Sequence, residues 1–268
     1  MKSIKKTILA AFLAISTLGM MTSCNSDVDP IEFTPQYILA VNVSDLIRNG
    51  LFNIFTYEEA ISTKIANKDA ATLNNPALEF ITDDVSSDTT GWKWKFDLAE
   101  EQIFLKGTMT VTFNGQLLDD GVTKTIDCSQ ITINDNAGNS LKFFGTVEVT
   151  NNSTNATETS RNVITNQFGW GKTNNEVYLN AYYTFESKYS NGTMTECKIS
   201  GNASGNHVTY GIFSQDIISD LSVSQNYFFT SGSMTLIVPE FGGLALPVDV
   251  IFTANSINVT YNGETYTY

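Results

Sequence analysis

An all-β domain is the fold to expect of this chain, an antiparallel β-sandwich or partly closed barrel with one short helix near the N-terminus. Apolar and polar residues alternate at period two along most of the chain from Gln36 onward, as in sheets with one buried and one wet face. Turn signals such as Asn262-Gly263 separate these runs. Hydrophobic residues make up 42% of the chain, enough to build a core and to exclude general disorder.

In chain order, Tyr37, Leu39, Val41 and Val43 share one face of an expected first strand. Thr56-Tyr57-Glu58-Glu59 resembles a capping box, with Thr56 as N-cap and Glu59 reaching back. Ala60, Ile61 and Ile65 then give a narrow apolar stripe, which predicts the helix from Thr56 to about Asn67. The polar stretch from Thr82 to Thr90 reads as a loop. Trp92, Trp94 and Phe96 form one face of a strand whose other face carries Lys93 and Lys95. Met109, Val111 and Phe113 alternate with threonines. Leu141, Phe143, Val147 and Val149 line a further strand, and Met234, Leu236 and Val238 another. Gly-Thr-Met-Thr at 107–110 and 192–195, and Gly-Ser-Met-Thr at 232–235, read as a turn glycine opening a strand; their uneven spacing argues against a solenoid.

Two hairpins can be registered from the residues. A type I′ turn at Asn262-Gly263 pairs Tyr261 with Glu264, Thr260 with Thr265, Val259 with Tyr266 and Ile257 with Tyr268. Around Ser190-Asn191-Gly192, a two-residue turn would oppose Phe185 to Lys198. A three-residue loop instead pairs Phe185 with Cys197 and Tyr183 with Ile199, and is preferred because it joins apolar side chains.

The N-terminus reads as an address. Lys2, Lys5 and Lys6 precede a short apolar run from Ile8 to Met20, the pattern of a secretory signal peptide. Met21-Thr22-Ser23-Cys24 resembles the lipobox of bacterial lipoproteins. The resemblance implies lipidation of Cys24 and cleavage before it, with residues 1–23 as signal peptide and 24–35 as a lipid-anchored tether. A single all-β domain then occupies residues 36–268. Asp27 and Asp29 after the cysteine resemble the surface-export signal of Bacteroidetes-type lipoproteins. That implies an outer-membrane protein displayed at the cell surface, with a periplasm-facing tether as the alternative. Asp88-Thr89-Thr90 resembles the short O-glycosylation motif of exported proteins in the same group.

The net charge is −13, and losing the three leader lysines makes the mature chain more acidic still. Such a surface repels nucleic acid, which is not expected as a partner. The membrane, through the lipid, and a glycan or an envelope protein are the expected partners. Beyond Cys24, only Cys128 and Cys197 remain. An oxidising compartment permits a disulfide between them, while two buried free thiols are the competing and slightly favoured reading.

Catalytic signals are weak. His207 is the only histidine, and no G-x-S-x-G elbow accompanies it. Adjacent acids such as Asp119-Asp120 point to opposite faces of a strand and so do not make a catalytic pair. The run from Asn134 to Asn139 departs from calcium-loop spacing. No cofactor and no metal are expected. The aromatics are more suggestive. Trp170 lies between Gly169 and Gly171 in an expected loop, and Trp92 and Trp94 share a strand face. Flat rings of this kind can stack on sugars. The chain is therefore expected to bind a glycan or other small ligand through Trp170, Trp92 and Trp94. The alternative is a structural or adhesive surface protein acting through a strand edge and the apolar 239–247 loop.

Overall fold

The computed structural model describes residues 35–83, 88–100, 103–135, 140–155, 157–172, 175–190, 193–224, 229–239 and 245–267. The leader, the lipobox, Cys24 and the tether up to residue 34 lie outside these residues, as do the tip of the 239–247 loop and residues 136–139 of the Asn-rich run.

The segment expected as the first strand is helical. Helix α1 (Pro35–Asp45) continues through a π-helical stretch (Leu46–Phe52) into α2 (Asn53–Ala66). The joints at Asp45 and Phe52 keep right-handed helical dihedrals, so the three form one rod. Four residues at period two, from Tyr37 to Val43, were too short a window to tell the two periods apart. Over the longer run, Leu39, Val43, Leu46, Ile47, Leu51, Ile54, Phe55 and Ile61 recur at helical spacing and are all at most 3% exposed. Thr56 is therefore no N-cap. It lies in mid-helix, where its hydroxyl donates back to the Phe52 and Asn53 carbonyls at 3.1 and 2.9 Å. The expected end near Asn67 does hold, since Asn67 is the C-cap. A single turn, α3 (Ala70–Leu73), follows, capped by the Asp69 carboxylate.

The rest is strand. In order come β1 (Leu78–Thr82), β2 (Thr89–Glu100), β3 (Ile103–Phe113), β4 (Thr123–Asp127), β5 (Thr132–Asp135), β6 (Ser140–Thr154) and β7 (Glu158–Lys172). Then follow β8 (Asn175–Ser190), β9 (Thr193–His207), β10 (Gly211–Ser224), β11 (Phe229–Pro239), β12 (Ala245–Thr253), β13 (Ile257–Tyr261) and β14 (Glu264–Thr267). All pair antiparallel in one sheet that follows chain order. Strands β4 and β5 share one lane between β3 and β6, broken by a turn that the Ile131 N–H closes on the Cys128 carbonyl. Gly107, at φ +119°, faces this break. A Cβ there would sit 1.9 Å from the Gln130 carbonyl oxygen, so only glycine fits.

The sheet is mostly antiparallel β as expected, but it is a single sheet, and it does not close into a barrel: β1 and β14 stay at opposite ends of the path. Its inner face wraps the helical rod. Tyr37 meets Tyr266 of β14 at 5.7 Å between ring centres, Phe55 meets Phe185 of β8 at 5.0 Å, and Tyr57 meets Phe96 of β2 at 6.4 Å. Every residue from Leu46 to Phe55 is buried, so this middle stretch of the rod is covered on all sides and lies at the centre of the core. Fully burying each large apolar side chain here contributes about 1.5–3 kcal/mol.

The C-terminal hairpin has the expected register, with Thr260 and Thr265 hydroxyls 2.9 Å apart and both turn residues at positive φ. Its Ile257–Tyr268 pair lies outside the described residues. The β8–β9 hairpin follows neither register proposed from the sequence. Ser190 pairs with Thr193, as a two-residue turn requires, and then the register shifts between Lys188 and Tyr189. The shift brings Phe185 opposite Ile199 and sets Glu186 against Lys198 and Lys188 against Glu196. One extra residue thus satisfies both the apolar face and the charges, which neither regular register could do.

Candidate functional site

Trp170 is not in a loop. It belongs to β7, where Gly169 lets the neighbouring strand approach: a Cβ at Gly169 would lie 2.1 Å from the Val177 carbonyl oxygen. Trp170 is 7% exposed and packs on Phe143 at 5.8 Å. Trp92 and Trp94 are 0% and 7% exposed. All three indoles therefore belong to the core, and none forms an exposed platform. The Trp92 Nε1–H has no partner among the described residues, so packing alone holds that ring.

Cys128 and Cys197 are both free and buried. Burial pushes the Cys128 thiol well above its ordinary pKa and the Cys197 thiol up to about 12, which makes both inert at neutral pH. His207 is also fully buried. Its Nδ1 accepts from the Thr209 and Tyr210 backbone N–H groups at 3.1 and 3.4 Å, closing the turn after β9. Its Nε2 lies 3.1 Å from the Asn42 carboxamide on α1. Burial lowers its pKa. His207 thus pins the rod to the sheet. Among the described residues, no group of three or more His, Cys, Asp or Glu side chains is placed to hold a metal ion. Asp119 and Asp120 are exposed in a turn.

The polar groups that fasten the rod are not among the candidate residues expected from the sequence. Glu58 of α2 is completely buried and receives the Lys124 ammonium of β4 on both carboxylate oxygens at 2.8 Å. Ser62 donates to the same carboxylate at 2.5 Å. Next to it, Glu59 accepts from Arg161 of β7 at 2.8 Å and from the Tyr189 hydroxyl of β8 at 2.6 Å. Burial opposes the charge on Arg161, but Glu59 and Tyr189 more than offset it and hold its pKa above the ordinary value. Burial, and then Glu59, push Tyr189 up to about 12. The guanidinium also lies 5.2 Å over the Phe55 ring.

With the inner face filled by the rod, contacts with other molecules fall to the edges and the outer face. Among the described residues, nothing pairs with the C-terminal edge. Tyr261 and Glu264 flank the two-residue turn as a hydrogen-bonded pair, so Glu264 and Tyr266 direct their backbone groups toward β13. The N–H and C=O groups of Thr265 and Thr267 then point away from the sheet. Strand β14 is short, but it has no Lys, no Pro and no register shift. The other edge is guarded: β1 carries an irregularity between Ile81 and Thr82 and a Glu79–Lys93 ion pair at 2.8 Å. On the outer face beside β14, Ile251 is 50% exposed and lies in the same cross-strand row as Asn258 and Thr267.

No helix among the described residues is long and apolar enough to cross a membrane. Comparison of the chain with protein-family models, curated proteins and solved structures finds no match.

Proposed function

We propose that this chain is a lipid-anchored protein of the bacterial cell surface, with a structural or adhesive role, that captures an extended strand of a neighbouring envelope protein on β14. The observation that carries the reading is the unguarded edge at Thr265 and Thr267, in a protein whose inner sheet face is already occupied by its own helix. Backbone groups on such an edge supply affinity, and the exposed Ile251 beside it supplies an apolar contact. The lipobox-like Met21-Thr22-Ser23-Cys24 supports the anchor. The acidic chain supports a site reached by backbone and apolar contacts rather than by nucleic acid.

The test is a photo-crosslinking residue placed at Thr267 in the protein displayed on its native cells. Adducts to one protein species are expected, and Thr265→Pro should abolish them, because proline removes an outward donor without touching the β13 ladder. Adducts between two copies would make the partner the chain itself. A parent protein that crosslinks to nothing, or adducts that persist in Thr265→Pro, would end the strand-capture reading.

A further inference from the structure

The register shift in the β8–β9 hairpin builds a second feature, on the outer face and away from β14. Glu158, Lys188 and Glu196 stand opposite one another in one row across β7, β8 and β9. Ser160, Glu186 and Lys198 form the next row. Together with Ser153 and Asn155 they surround a cleft of about 400 Å³, and every residue that lines it is of a polar type. That volume lies within the ordinary range for small-ligand sites.

The charges in the cleft are only partly spent on each other. Lys188 reaches Glu196 at 3.3 Å. Glu186 and Lys198, although opposite in register, close no ion pair among the described residues. Asn155 uses its carbonyl oxygen on the Thr157 and Glu158 backbone N–H groups at 2.9 and 2.7 Å, which leaves its amide donors available. The floor is held from beneath. Thr159 lines the cleft and accepts from Arg161 at 2.9 Å, and Arg161 is locked to Glu59. Thr159 is therefore fixed beneath the cleft, and Glu186 and Lys188 stand exposed above it.

The chemistry of the lining selects the ligand. Three carboxylates alternate with two ammoniums, so a free cation meets Lys188 and Lys198 while an anion meets three glutamates and an acidic protein. Among the described residues, no aromatic or aliphatic side chain lines the cleft for an apolar ligand. A neutral molecule with adjacent hydroxyls fits best: carboxylates accept from such hydroxyls and ammoniums donate to them, in charge-assisted bonds. We propose that this cleft binds a neutral saccharide of one or two sugar units, with Glu186 and Lys198 as the principal contacts.

Isothermal titration calorimetry of the full mature chain, with Cys24 replaced so that it is soluble, would test this with maltose, lactose, cellobiose and chitobiose. Saturable binding of at least one is expected, weakened about tenfold or more by Glu186→Gln or by Lys198→Met. Both side chains project from the outer face, so the circular dichroism of the variants should match that of the parent. The proposal is overturned by the absence of saturable heat with all four sugars, or by binding that keeps its affinity in both variants.

Discussion

Lys124 shares an inward row with Val122 and Ile126 and has only Glu58 and its neighbours to satisfy its charge. Replacing it with methionine leaves the Glu58 carboxylate buried and unpaired, at a cost of about 3–5 kcal/mol. Changing Glu58 to leucine in the same chain should recover most of that loss, because two matched apolar groups replace two matched charges. Urea unfolding of the single and double variants measures it, and a double variant no more stable than Lys124→Met would deny that the two form a closed pair. Asp45 adds a pH dependence. Burial raises its carboxyl from 3.8 to about 6 despite the nearby Arg48. The stability tied to its protonated form is present below 3.8 and lost as pH rises through about 6. Asp45→Asn should therefore gain in unfolding midpoint over the parent between those pH values, and a constant difference across them would refute the account. Both cations were half-legible in the sequence. Lys124 falls in Val122-Lys124-Ile126-Cys128 and Arg161 in Thr159-Arg161-Val163, where period two puts a charge on the apolar side. Such a residue needs a buried partner, but Glu58 is 66 residues from Lys124, and alternation within one strand cannot name it.

At the scale of elements, β14 contributes to the fold as well as offering an edge. Tyr266 pairs with Val259 and packs on Tyr37 of the rod. Deleting residues 264–268 should uncover β13 and lower the thermal midpoint by several degrees, as expected when about 1–2 kcal/mol of packing is lost. An unchanged midpoint would mean that β14 is dispensable to the core. Gly107→Ala tests the β4–β5 break. The alanine Cβ has no room beside the Gln130 carbonyl, and a loss of about 2 kcal/mol or more is expected in the same assay. The hairpin carrying β14 could be read from the sequence because its register follows from the turn residues next to it. The β8–β9 register could not, because the shift at Lys188 sets Phe185, which packs on Phe55 of the rod, opposite Ile199, and that packing is not local to the turn. Gly107 and Gly232 were read as turn residues, yet both lie inside strands at φ +119° and +120°. A glycine before a Thr-rich run looks the same in sequence whether it ends a turn or bends a strand. The first part of the rod was misread because four residues, Tyr37 to Val43, fit period two, and the buried stretch Leu46–Phe52 that follows shows no polar stripe to correct the reading.

The whole molecule is one sheet folded round one helix, and that arrangement decides how its tryptophans behave. An all-β fold could be inferred because alternation is a local property. The wrapping could not, because it depends on pairings between segments far apart in the chain. Trp92 and Trp94 enter the core from β2, near one end of the sheet, and Trp170 enters from β7 in the middle. The rod contacts β2, β4, β7, β8, β9 and β14, so its loss would uncover the inner face at both ends and in the middle of the sheet. Sheet, rod and indoles should accordingly unfold together. Tryptophan fluorescence, reporting β2 and β7, and far-ultraviolet circular dichroism, reporting the whole sheet, should give the same urea midpoint. Native emission should be blue-shifted and barely quenched by acrylamide, with or without added polysaccharide, since none of the three rings reaches the surface. A fluorescence midpoint at lower urea than the dichroism midpoint would show the β2 flank opening before the rest. In that event the helix holds only the strands from β7 onward, and the Glu58–Lys124 pair beneath β4 would be the first place to look for the weakness.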